Sequence, residues 1–193
     1  AFHHPGPAAV RYPRGSGPGV EIDRALTGIE IGKGLVVRQG RQVAILAFGA
    51  MLPAALTAGN ELDATVANMR FVKPIDRALI IDLAASHDVL VSIEENSLIG
   101  GAGSEVARIL EEIGSSKRLV RMGLPDHFVD HGDSALLLAE LGIDAKGIGL
   151  AVKDIVIGVA AAAVGAAGGG QAGASGVLKA GDGIDKIIAM TTG

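Results

Sequence analysis

Arg14 stands in the run Arg11-Tyr12-Pro13-Arg14-Gly15, directly after the apolar triplet Ala8-Ala9-Val10. Its guanidinium is permanently charged and offers a planar fork of donors that fits phosphate oxygens two at a time. The triplet reads as a short strand. Pro13 ends it, because proline confines Tyr12 to an extended conformation and brings no N–H to a sheet. A residue just past a strand end faces the ligand crevice in α/β folds, so Arg14 is the candidate phosphate contact. The same residue also reads as a solvated surface arginine beside the flexible linker Ser16-Gly17-Pro18-Gly19. Arg11, three residues earlier, falls on the other side of a strand and reads as structural.

Two further places carry chemically capable residues. Glu94-Glu95-Asn96 runs into Gly100-Gly101-Ala102-Gly103-Ser104, and a glycine loop opening a helix can present backbone N–H groups to an anion. The two carboxylates would repel a phosphate, and the spacing is neither that of a dinucleotide fingerprint nor that of a P-loop with its lysine. The stretch therefore reads as a tight turn, with one carboxylate paired across an interface. His127, Asp130, His131 and Asp133 have the composition of a metal site. They fall in a loop with no further ligand group in view, and a bare His-x-x-x-His lacking a zincin's intervening acid is common by chance. The residues assign no catalytic group, no cofactor contact and no metal ligand.

The elements that would position these groups follow from hydrophobic periodicity. Val43–Phe48 is a continuous apolar run of strand length, followed by Leu52, Ala55, Leu56 and Leu62 on one helical face, with Pro53 suited to the first turn. Thr65–Met69 reads as a strand. Leu79, Ile80, Leu83, Ala84 and His87 form a helical stripe beginning near Asp76. Val89–Ile93 is a strand, Val106, Ile109, Leu110 and Ile113 a helical face ended at Gly114, and Leu119–Met122 a strand. This alternation implies crossover units and a mainly parallel sheet of five strands covered on both faces. Ile31–Arg38 could add an antiparallel edge hairpin through Gln39-Gly40. Ser134 is placed to cap a short leucine-rich helix and Asp144 another, with Ile148, Val152, Ile155, Val156 and Val159 continuing a helical face.

Composition narrows the function classes. Hydrophobic residues make up 49% of the 193 but aromatics only 3%, so the core must be aliphatic. The formal charge of −4 argues against a nucleic-acid surface, which needs a basic face. Without cysteine there is neither a disulfide framework nor thiolate zinc. The start, Ala-Phe-His-His-Pro-Gly-Pro, lacks the basic and apolar regions of a signal peptide and reads as cut from something longer. The uncharged stretch from Ile155 to Leu178 is broken at Gly168-Gly169-Gly170-Gln171. Its apolar run to Ala167 falls short of the roughly 20 residues a bilayer span needs, so no membrane segment is expected.

Taken in order, the motifs resemble one family, the 1-deoxy-D-xylulose-5-phosphate synthases. Gly6-Pro7-Ala8-Ala9-Val10-Arg11-Tyr12-Pro13-Arg14-Gly15 looks like the close of their central pyrimidine-binding domain, and Ile31-Gly32-Lys33-Gly34 like the start of their carboxy-terminal domain. Asn68-Met69-Arg70-Phe71-Val72-Lys73-Pro74-Ile75-Asp76, Glu94-Glu95-Asn96 with Gly100-Gly101-Ala102-Gly103-Ser104, and Gly123-Leu124-Pro125-Asp126 match further family stretches. The resemblance implies residues 1–24 as the end of the pyrimidine-binding domain and linker, 25–153 as a transketolase C-terminal-like domain, and 154–193 as an unassigned tail.

It further implies a parent enzyme that uses thiamine diphosphate and Mg2+ to condense pyruvate with glyceraldehyde 3-phosphate, at the head of isoprenoid, thiamine and pyridoxal synthesis. Arg14 falls on the family's acceptor-phosphate arginine. The cofactor is expected on domains other than these, so the chain alone should bind none and be inactive. Its partners would be the remaining domains, in a homodimer when intact, in a bacterial cytoplasm or, by origin, a plastid. Gly181-Asp182-Gly183 opens a thiamine-diphosphate motif in form, but no Asn follows it in the remaining residues. A free-standing interaction module, or the end of another transketolase or ketoacid dehydrogenase, is the competing expectation.

Overall fold

Val43 to Ala47 is buried at every position, which is what an unbroken apolar run of strand length requires: a strand covered on both faces. The computed structural model describes residues 27–153 and 155, together with 1, 4–11, 17, 19, 24 and 25. Arg14, Gly181-Asp182-Gly183 and most of the 154–193 tail lie outside the described residues.

The elements run β1 (Leu35–Arg38), β2 (Val43–Ala47), α1 (Leu52–Leu62), β3 (Thr65–Asn68), α2 (Arg77–Ser86), β4 (Val89–Ser97), α3 (Ala102–Glu112), β5 (Arg118–Leu124) and α4 (Ser134–Glu140). A last helix, α5, occupies 145–153. The sheet has the order β1-β3-β2-β4-β5. β2 pairs in parallel with β3 and β4, and β4 with β5. On one face Ala44, Leu46, Ala67, Met69 and Leu90 pack under α2 and α3. On the other, Ile45, Val66, Val91 and Ile93 pack with Ala55 and Ala58 of α1 and with Ile148 and Val152 of α5. The expected five-stranded, mainly parallel α/β sheet with helices on both faces is present.

Three local expectations need correction. β1 does not form a hairpin with β2; it pairs antiparallel with β3, Leu35 opposite Asn68 and Val36 opposite Ala67. The reason is at Gly40, whose N–H donates to Thr65 Oγ1 at 3.0 Å and whose Cα lies so close to the Asp63–Ala64 backbone that no side chain fits. The chain thus crosses the start of β3 before entering β2. Ala8–Val10 is exposed and outside the sheet, with no strand beside it among the described residues. The cap of α4 is Asp133, not Ser134: its carboxylate accepts from the N–H groups of Ala135 and Leu136 at 3.0 and 3.1 Å, a reach that suits an Asp at the N-cap. Asp144 does cap the following helix, accepting from Gly147 N at 2.7 Å.

Candidate functional site

In a parallel sheet the carboxyl ends of the strands are where a ligand would be received. β4 carries Glu94 to that end and leaves it buried, 4% exposed. Its carboxylate turns back onto the start of α3, Oε2 accepting from Ala102 N–H at 2.7 Å and Oε1 from Gly103 N–H at 2.8 Å. Those are unpaired donors of a helix N-terminus, where a negative charge also meets the favourable end of the helix dipole. The glycines are there to let it in. A Cβ on Gly101 would stand 2.5 Å from Glu94 Oε2, one on Gly103 2.6 Å from Ser92 Oγ, and one on Gly123 2.7 Å from Asn96 O and 3.3 Å from Glu94 Cγ. Three separated stretches of sequence therefore close around one carboxylate. The anion at this helix start is the protein's own.

A second convergence lies at the opposite edge of the sheet. Asp76 Oδ1 caps α2 through Leu79 N–H at 3.1 Å, and Oδ2 accepts from Gly34 N–H at 3.0 Å. Gly34 has no room for a side chain beside Leu79, and Gly32, at φ +75°, lies against Pro74. The Ile31–Gly34 turn is thereby clasped to the 70–76 loop, in which Arg70 sits at φ +59° with its N–H on Asn68 Oδ1 at 3.2 Å.

Ion pairs hold the outer surfaces. Arg38 reaches Asp63 Oδ1 at 3.2 Å and Ala64 O at 2.5 Å, and Arg41 reaches Asp63 Oδ2 at 3.0 Å. Hydrogen bonds from Arg41 and then Arg38 hold the Asp63 carboxyl below the usual aspartate range. Arg108 lies between Glu105 and Glu112, depressing the Glu105 carboxyl, while Arg77 meets Glu112 at 2.6 Å. His87 is buried, Nε2 2.8 Å from Thr65 Oγ1 and Nδ1 3.0 Å from Leu83 O. It pins the amino ends of β3 and β4, away from the receiving end.

The candidate metal loop does not assemble. His127, Asp130, His131 and Asp133 are exposed, Asp133 is committed to its cap, and among the described residues no three such groups come together. Glu95 and Asn96 point outward while Glu94 points in. Glu94 is satisfied inside its own domain, which leaves exposed Glu95 as the carboxylate to which the expected pairing across an interface applies. No helix among the described residues is long and apolar enough to cross a membrane.

Residues 32–148 match the family model described as "Transketolase, C-terminal domain". The chain belongs to that family. Within the transketolase C-terminal domain family it is similar to the 1-deoxy-D-xylulose-5-phosphate synthase of Aromatoleum aromaticum, 57% identical over 153 residues, covering 79% of this chain and 25% of the relative. The synthase of Nitrosomonas europaea is 54% identical over 154 residues, 80% of this chain and 25% of the relative. The chain thus spans about a quarter of the length of the curated relatives it matches, and it fits their carboxy-terminal portion. Among solved structures, one described as a split gene transketolase, inactive beta4 tetramer, superimposes with a TM-score of 0.62 at 34% identity, covering 70% of this chain and 45% of that one.

Proposed function

We propose that this chain is the carboxy-terminal part of a 1-deoxy-D-xylulose-5-phosphate synthase, the enzyme that joins pyruvate to glyceraldehyde 3-phosphate with loss of CO2. The observation that carries the reading is the 57% identity to such a synthase over 153 residues. In this reading 1–24 closes the pyrimidine-binding domain, 25–153 is the C-terminal domain and 154–193 is a tail without assignment. Thiamine diphosphate and Mg2+ belong to the rest of the enzyme, which works in the cytoplasm as a homodimer.

The described residues do not fit the cofactor: the glycine loop that could cradle a diphosphate is filled by Glu94. The domain's part is to support its neighbours, and the chain alone is inactive. The solved relative described as an inactive tetramer supports that last point.

Arg14 is the residue through which this chain touches substrate in the proposal, holding the phosphate of glyceraldehyde 3-phosphate by charge-assisted hydrogen bonds. The test is Arg14→Ala in the Aromatoleum aromaticum synthase carrying this chain's residues in place of its own matching segment. The unsubstituted chimera is expected to turn over. Arg14→Ala should then lower kcat/KM for glyceraldehyde 3-phosphate by roughly 10–150-fold, corresponding to about 1.5–3 kcal/mol, with far less change for pyruvate. Equal loss for both substrates would assign Arg14 to folding instead, and an inactive chimera would remove the synthase reading.

A further inference from the structure

At the receiving end of the sheet, beside β5, the surface changes character. Leu124, Leu137, Leu138 and Leu141 line an open groove of about 380 Å3, with Glu95 and Asp130 on its rim. Next to it Phe128 is fully exposed and Leu136 largely so, while Val129 in the groove wall is 37% exposed. In a chain with only four Phe and one Tyr, an aromatic ring standing free beside a leucine-lined groove marks a contact surface. Apart from His131, the ionisable side chains that line it are carboxylates. Residues 122–145 contain no Lys or Arg. Glu95, Asp126 and Asp130 are exposed, and none of the three takes part in any ion pair among the described residues.

We propose that this groove docks a protein segment bearing a basic residue beside an apolar one, supplied by the cofactor-binding portion of the same enzyme. This rests on the reading of the chain as part of a synthase. Three observations choose the occupant. An acidic rim around an apolar floor is complementary to a cation on an apolar stem. A second copy meeting its own groove across a two-fold axis would set carboxylates against carboxylates. And because β1 runs antiparallel with Leu35 opposite Asn68, the polypeptide enters the domain at this same end of the sheet. From β1 to β5 is four strand spacings, about 19 Å, so a preceding domain arrives within reach of the groove.

The experiment is carboxyl labelling with carbodiimide and glycine ethyl ester, comparing the 193-residue chain alone with the Aromatoleum aromaticum chimera described above. Labelling of Glu95 and Asp130 is expected to fall severalfold in the chimera. A paired variant, Glu95→Lys with Asp130→Lys, should leave the melting temperature of the 193-residue chain unchanged and lower that of the chimera. Equal labelling in both proteins overturns the assignment, as does an unchanged chimera melting temperature. Protection of the isolated chain that grows with its concentration would give the groove to a second copy and overturn it equally. Turnover of the chimera is read separately, so loss of the synthase reading and loss of the docking site are distinct results.

Discussion

Glu94 and Asp63 show two ways a carboxylate holds this domain, one dry and one wet. Glu94 is buried and satisfied by two backbone donors. Glu94→Gln removes the charge and turns an NH2 group toward an N–H, so it should cost about 2–4 kcal/mol in urea unfolding. A near-neutral result would mean the carboxylate is not what closes the loop. Asp63 is half-exposed between Arg41 and Arg38, and its folded pKa lies below the ordinary aspartate value of about 3.9. A depressed carboxylate adds stability above its unfolded pKa and loses it as pH falls through the folded one. The stability difference between the native chain and Asp63→Asn should therefore be present at neutral pH and vanish in strong acid. A difference that persisted there would assign the effect to packing. Sequence distinguished neither residue. Glu94 and Glu95 are adjacent and identical in type, and what separates them is that the buried run of β4, covered on both faces, ends at Glu94.

Among the elements, α2 and β1 depend on a single side chain. Asp76 caps α2 and also holds Gly34. Asp76→Asn keeps an acceptor for Leu79 but presents NH2 to the Gly34 N–H, whereas Asp76→Ala loses both bonds. Hydrogen exchange should show Gly34 opening in both variants, and the first turn of α2 opening only in Asp76→Ala, whose cap is worth about 1 kcal/mol. Identical exchange in the two would break the assignment of separate roles. The helices and the parallel strands were legible because each carries its own period: apolar runs for β2 and β4, a three-to-four spacing for α3. The partner of β1 was not legible. A turn at Gln39-Gly40 fits a hairpin equally well, and what excludes it is the close approach of Gly40 to Ala64, a contact 24 residues away that no local pattern encodes. Asp133 rather than Ser134 as cap is a shift of one position between two good capping residues.

For the whole molecule, the family and its order of motifs were readable, and what was not readable is that parts of those motifs pack on one another. Glu94, Gly101, Ala102, Gly103 and Gly123 form one buried knot, and the Ile31–Gly34 turn is clasped to the 70–76 loop through Asp76. Their spacing said that they belong together, not which of their residues turn inward. Titration calorimetry of the 193-residue chain with thiamine diphosphate and Mg2+ should accordingly show no binding heat, and saturable binding would contradict the assignment of the cofactor to other domains. The Asp76 clasp has a mechanical consequence. The same carboxylate grips the arriving strand and the first turn of α2, so a tug on the polypeptide ahead of residue 34 is delivered to a helix lying across the sheet. A pull there is thus shared with the body of the domain instead of peeling its edge strand alone.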